Sequence, residues 1–127
     1  MIPALAGIML WAAMVPAQAQ KTGALFSGAY LLQLCKRDAA GKEVVTGGSS
    51  ACQSYISGII DYHNLLRSLG TPPGIDFCVP PSVKLNDLQT KVWSYLDKNA
   101  QHDVFIAAPA VALALFEYYP CDKKTKR

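Results

Sequence analysis

Four cysteines, Cys35, Cys52, Cys78 and Cys121, are the residues with the clearest chemical capacity in this 127-residue chain. An even count in a small exported domain reads as a disulfide framework. No C-x-x-C pair occurs, which argues against a zinc ribbon, a thioredoxin-type redox site and c-type haem attachment. The two histidines offer less. His63 has Asp61 two residues before it, and residues two apart on a helix do not face each other. His102 stands in a polar turn beside Asp103, and no nucleophile is placed against either ring. Asp61, Asp76, Asp87, Asp97, Asp103, Glu117 and Asp122 are scattered, without the spacing of a metal loop. Ser27-Gly28 and Ser57-Gly58 lack the strand–turn–helix setting of a nucleophile elbow, and no glycine-rich phosphate loop is present. The expectation is a binding or structural protein with no catalytic residues, metal or cofactor, and with both histidines structural or solvated.

Export is read from the start of the chain. Residues 2–15 are apolar throughout, and Ala17-Gln18-Ala19 is a small-x-small cleavage site, so residues 1–19 are expected to be a signal peptide. No Lys or Arg precedes the apolar run. A retained membrane anchor is the alternative, but the run is shorter than the roughly 20 residues that span a bilayer. It also contains Pro3, and Pro16 follows it. No stable membrane insertion is expected after cleavage, and residues 20–122 are expected to form one domain. The formal charge of +3 comes from the end of the chain, where Lys123, Lys124, Lys126 and Arg127 form a basic tail expected to be disordered. The near-neutral remainder has no basic face interleaved with aromatics, so nucleic acid is not an expected partner.

Stepping along the mature chain, the hydrophobic period is helical. A first helix falls within residues 21–37, with Lys36-Arg37 at its end complementing the dipole. A glycine-punctuated loop covers residues 38–50, with Val44-Val45 too short a patch to be a strand. The second helix, residues 52–69, carries its apolar stripe at Cys52, Tyr55, Ile56, Ile59, Ile60, Tyr62 and Leu66, with Ser49 and Ser50 as N-cap candidates. Gly58, in the middle of that helix, is expected at a close helix crossing, since glycine there costs about 1 kcal/mol relative to alanine. On that reading, Gly58→Leu destabilises by overpacking. Residues 70–81 hold four prolines and run extended. A third helix covers residues 85–99, capped by Asn86 with Gln89 as a capping box or by Ser82. The last, residues 104–119, is the most apolar, with Asp103 as its cap. Pro109 is harmless if the helix starts at Ala108 and bends it if the start is Val104 or Phe105. The class is all-α, a small disulfide-stapled bundle of four main helices.

An up-down bundle selects among the three pairings that four cysteines permit. Cys35 closes the first helix and Cys52 opens the second, at one end. Cys78 precedes the third and Cys121 follows the fourth, at the other end. Cys35–Cys52 and Cys78–Cys121 are therefore expected, worth about 3 and about 4 kcal/mol by chain entropy. The rival pairings join opposite ends of the bundle.

With these elements placed, the chain resembles a known family. A Leu-rich helix ends in Cys35; Cys52-x-x-Tyr55-Ile56-x-Gly58-x-x-Asp61 follows, then Phe77-Cys78-Val79-Pro80. Val92-x-x-Tyr95-Leu96 precedes Ala107-Ala108, Ala114-Leu115 and Tyr119-Pro120-Cys121. This order is similar to that of the Rap/Tai immunity proteins, which neutralise peptidoglycan amidase effectors of type VI secretion. The resemblance implies a periplasmic helical bundle, often a homodimer, that binds a secreted cell-wall amidase and occludes its active cleft. Pro109, the connection over residues 70–76 and the basic tail depart from the family pattern.

Two other functions compete: a periplasmic helical chaperone or stress protein, and a small-ligand carrier, which requires a pocket of a few hundred Å3. An inhibitor needs a polar element protruding from a rigid base. The turn over residues 97–103 meets that need, with Asn99, Gln101 and His102 as its expected partner-binding residues. The loop over residues 41–50 is the rival.

Overall fold

The computed structural model describes residues 26–122. The leader over residues 1–19, its cleavage site and the basic tail lie outside the described residues. Four helices follow in order: α1 (Gly28–Cys35), α2 (Gly48–Ser68), α3 (Leu85–Lys98) and α4 (Ala107–Tyr118), with a 3-10 turn (Ala100–His102) before α4. Isolated bridges occur, but no strand is present among the described residues. The all-α class is as expected.

Helix α1 starts where Ser27 Oγ accepts the Tyr30 N–H at 3.1 Å. It ends at Cys35, because Lys36 is already extended. Lys36 and Arg37 therefore lie beyond the helix rather than in its last turn. Helix α2 starts four residues earlier than the apolar stripe implied. Ser49 and Ser50 are in its first turn, not at its cap. The cap position is Gly47, at φ 76°, and the capping oxygens come from upstream. Glu43 Oε1 accepts from Gly47 N–H at 2.8 Å, and Oε2 from Ser49 N–H at 2.9 Å. Those two backbone N–H groups, Ser49 foremost, hold the Glu43 carboxyl below its ordinary pKa.

The expected capping box of α3 does not form, and Ser82 does not replace it. Lys84 occupies the cap position without a side-chain bond. Asn86 and Gln89 turn instead toward Arg37 and Gln53. Asp103 does not cap α4 either. That helix begins at Ala107, whose N–H donates to Phe26 C=O at 2.8 Å. Pro109 is then its third residue, where an N–H has no partner within the helix, so the proline does no harm.

The core is built from Leu31, Leu34 and Cys35 of α1, Ile56 of α2, Leu88, Val92 and Leu96 of α3, and Val111 and Leu115 of α4. Ala107, Ala110 and Ala114 are fully buried, so α4 approaches its neighbours over small side chains. Gly58 is not at a crossing. It is exposed, and a Cβ there would have no atom within 4 Å. Close approach falls on two other glycines. At Gly48 a Cβ would lie 2.7 Å from Leu34 O, and at Gly28 it would run into the carbonyl of His102. Helix α1 meets α2 beside the Cys35–Cys52 link, at the start of α2 rather than its middle.

Both disulfides pair as expected, Cys35–Cys52 with Cα atoms 5.1 Å apart and Cys78–Cys121 at 4.9 Å. The second clamps the proline-rich connection to the residues after α4, where Cys78 N–H also donates to Tyr119 C=O at 2.8 Å.

Candidate functional site

The segment between α3 and α4 is pinned from below. Gly28 N–H donates to Phe105 C=O at 2.9 Å and Ala29 N–H to Asp103 C=O at 3.1 Å. With the Ala107–Phe26 bond, three backbone bonds fix its path against the start of α1. Glycine at position 28 permits this contact, since any side chain would strike the turn.

Within the segment the polar groups serve the turn itself. Asn99 Nδ2 donates to Tyr95 C=O at 2.7 Å, and Gln101 Nε2 donates to Asn99 Oδ1 at 3.2 Å. His102 Nε2 is 3.4 Å from the Tyr95 hydroxyl. Burial, and secondarily the Glu117 charge, raise the pKa of Tyr95, so its hydroxyl stays protonated beside the ring. Gln101 is exposed, while Asn99 and His102 are half-buried. The apolar residues face out: Val104 is 81% exposed, Phe105 64% and Ile106 51%. Hydropathy alone extends the last helix over these three residues. Pro109 was the signal against that, because a proline in the first turn starts the helix near residue 107 and leaves them outside.

The rival loop over residues 41–50 is also ordered. Asp38 Oδ1 accepts from Ala40 and Lys42 N–H groups at 2.9 Å each, and Glu43 ties its far side to α2. Val44 and Val45 are exposed and form no strand.

A groove of about 500 Å3 lies on another face. Ile59, Tyr62 and Leu66 of α2, Pro73 and Ile75 of the connection, and Ala112 of α4 line it. His63 is in its wall, only 3% exposed, and stacks on Phe77 with centroids 3.8 Å apart. Its partner is Asp76, not Asp61: Nε2 is 2.9 Å from Asp76 Oδ1 and 3.4 Å from Phe77 N. Phe77 N–H points at the same nitrogen that Asp76 approaches. Nδ1 has no partner among the described residues. No Ser, Thr or free Cys lines the groove, so the pair has no such nucleophile to activate. Among the described residues no His, Cys, Asp or Glu cluster could hold a metal, and no helix is long and apolar enough to cross a membrane.

A model of the Rap1a immunity proteins matches residues 27–121. The chain belongs to the Rap1a immunity protein family. The match runs from the N-cap of α1 to the last disulfide cysteine, so it covers all four helices and both bridges. No curated protein and no solved structure matches the chain. As a Rap1a immunity protein it has a cognate effector as its partner, and its relevant surface is one that receives another protein. The pinned segment with Val104, Phe105 and Ile106 has that character, since exposed apolar groups on a fixed backbone lose little entropy on docking.

Proposed function

We propose that this Rap1a protein is a periplasmic immunity protein that binds a peptidoglycan amidase effector delivered by type VI secretion and occludes its active cleft. The α3–α4 segment makes the contact. The observation that carries this reading is the outward display of Val104, Phe105 and Ile106 on a backbone held by three bonds to the α1 region. Phe105 is the anchor, entering the cleft with Val104 and Ile106 around it, as buried aromatic anchors do in protein interfaces. Asn99, Gln101 and His102 form the polar rim and hold the turn in shape. The two disulfides and the signal-like leader support an oxidising compartment.

The test uses a purified peptidoglycan amidase effector from the same genome. The native protein inhibits its hydrolysis of peptidoglycan. Phe105→Asp weakens inhibition at least about tenfold, equivalent to about 1.4 kcal/mol in binding, and leaves the melting temperature nearly unchanged. Asn99, Gln101 and His102 changed together to Ala weaken it by a similar factor. Undiminished inhibition by both folded variants moves the contact to the loop over residues 41–50. An amidase indifferent to the native protein overturns the function itself.

A further inference from the structure

We propose that the groove between α2, the connection over residues 71–79 and α4 is a second contact for the effector, and that it seats an uncharged, apolar loop of that protein while the α3–α4 segment occupies the cleft. This inference rests on the reading of that segment as the effector contact, and the two surfaces are continuous. Ile106 is the N-cap residue of α4, and the groove's wall on α4 begins two residues later at Ala108 and Pro109. On the opposite wall Tyr62 is 62% exposed, and the apolar face continues along α2 to Leu65 and Leu69, at 51% and 65%. A small ligand fills the trough of about 500 Å3 and leaves Leu65, Leu69 and Phe105 in water. A protein covers them together, and apolar surface of this reach marks a protein contact. A second copy of the chain seated here lies against Pro109 beside Ile106 and competes with the effector, so the continuity favours the effector as occupant.

The walls set the character of the loop. Among the described residues no Lys, Arg, Asp or Glu lines the groove. His63, in its wall, is buried and engaged by Asp76. A charged side chain entering here loses its water without gaining a partner, which selects against a charged segment. The groove is also formed in advance. Thr71 N–H donates to Leu66 C=O at 2.9 Å where the connection leaves α2, and the Cys78–Cys121 bond fixes the connection's other end. A preformed groove receives a loop at little cost in ordering its own residues.

Calorimetric titration with a purified peptidoglycan amidase effector from the same genome tests this. The native protein binds it. Tyr62→Glu and Tyr62→Lys each weaken affinity about tenfold, because either charge is buried without a partner. Leu65→Gln, just outside the trough, weakens it about threefold. All three keep a near-native melting temperature, since both positions are exposed. Saturating amounts of Tyr62→Glu still inhibit the amidase, because the α3–α4 segment is intact. Affinity lost in Phe105→Asp but unchanged in both Tyr62 variants overturns the groove contact and leaves the functional reading standing. Opposite effects of Glu and Lys at position 62 assign the change to long-range charge and overturn it as well. So does light scattering that finds the free native protein dimeric and Tyr62→Glu monomeric, which seats a second copy in the groove. An effector that does not bind the native protein overturns the functional reading and this proposal together.

Discussion

Arg67 Nη1 stands 3.0 Å from Cys78 Sγ and 3.9 Å from Cys121 Sγ, a cation set against a disulfide. Among the described residues no cationic side chain hydrogen-bonds a sulfur of the other disulfide, whose cysteines are buried, Cys35 at 2% and Cys52 at 0% exposure. In thiol–disulfide exchange an incoming thiolate attacks one sulfur and the other leaves as a thiolate, faster when a positive charge stabilises it. The two bonds therefore differ in reactivity. Limiting dithiothreitol opens Cys78–Cys121 first, the reductant closing to its cyclic disulfide as two thiols form on the protein. Arg67→Gln slows that step by about two- to tenfold. Alkylation with mass mapping reads the order, and equal rates for the two bonds would refute this account.

Gln89 is the polar centre of the fold, and its replacement is costly. It is 0% exposed and uses its whole side-chain amide. Nε2 donates to Cys35 C=O at 3.0 Å and Ser49 Oγ at 3.1 Å, and Oε1 accepts from Arg37 Nη2 at 2.6 Å and Gln53 Nε2 at 2.9 Å. Gln89→Ala strands partners on α1 and α2 and Arg37 beyond the end of α1. The expected loss is about 2–4 kcal/mol in urea unfolding. A loss below about 1 kcal/mol would mean that water replaces the amide.

The glycines divide in sign. Gly58→Ala stabilises by about 1 kcal/mol, because the position is an exposed helix interior with open space around it. The overpacking expected for leucine at this position has nothing to press against. Gly28→Ala destabilises by about 1–3 kcal/mol, since its Cβ meets the His102 carbonyl. Thermal melts of the two variants check both signs.

Glu43 makes part of the stability dependent on pH. Its pKa is lowered in the folded protein by the N–H groups of Ser49 and Gly47. A depressed folded value means that its contribution is present above the unfolded carboxylate value of about 4.3 and is lost as pH falls through the folded one. Glu43→Gln therefore lowers the melting temperature at pH 7, and the two proteins converge in acid below the folded value. A difference that persists unchanged to about pH 2 would assign the cap to geometry rather than charge.

Helix existence and disulfide pairing were legible in the chain because both follow from order along it. The apolar period of residues 52–69 and 85–99 marked α2 and α3, and the cysteines stood at helix ends that an up-down path brings together. A proline after the expected start of α4 even contained its true beginning. Periodicity shows which face of a helix is buried but not where two helices cross, and the close approaches fall at Gly28 and Gly48 rather than at Gly58. Capping was misread for the same reason. Asn86 and Gln89 have the local spacing of a capping box, yet Arg37, about fifty residues earlier in the chain, draws their side chains away. Asp76 had no mark of partnership with His63 until the connection folded back along α2. Side-chain partners across segments depend on distances set by packing, and local sequence does not encode those distances.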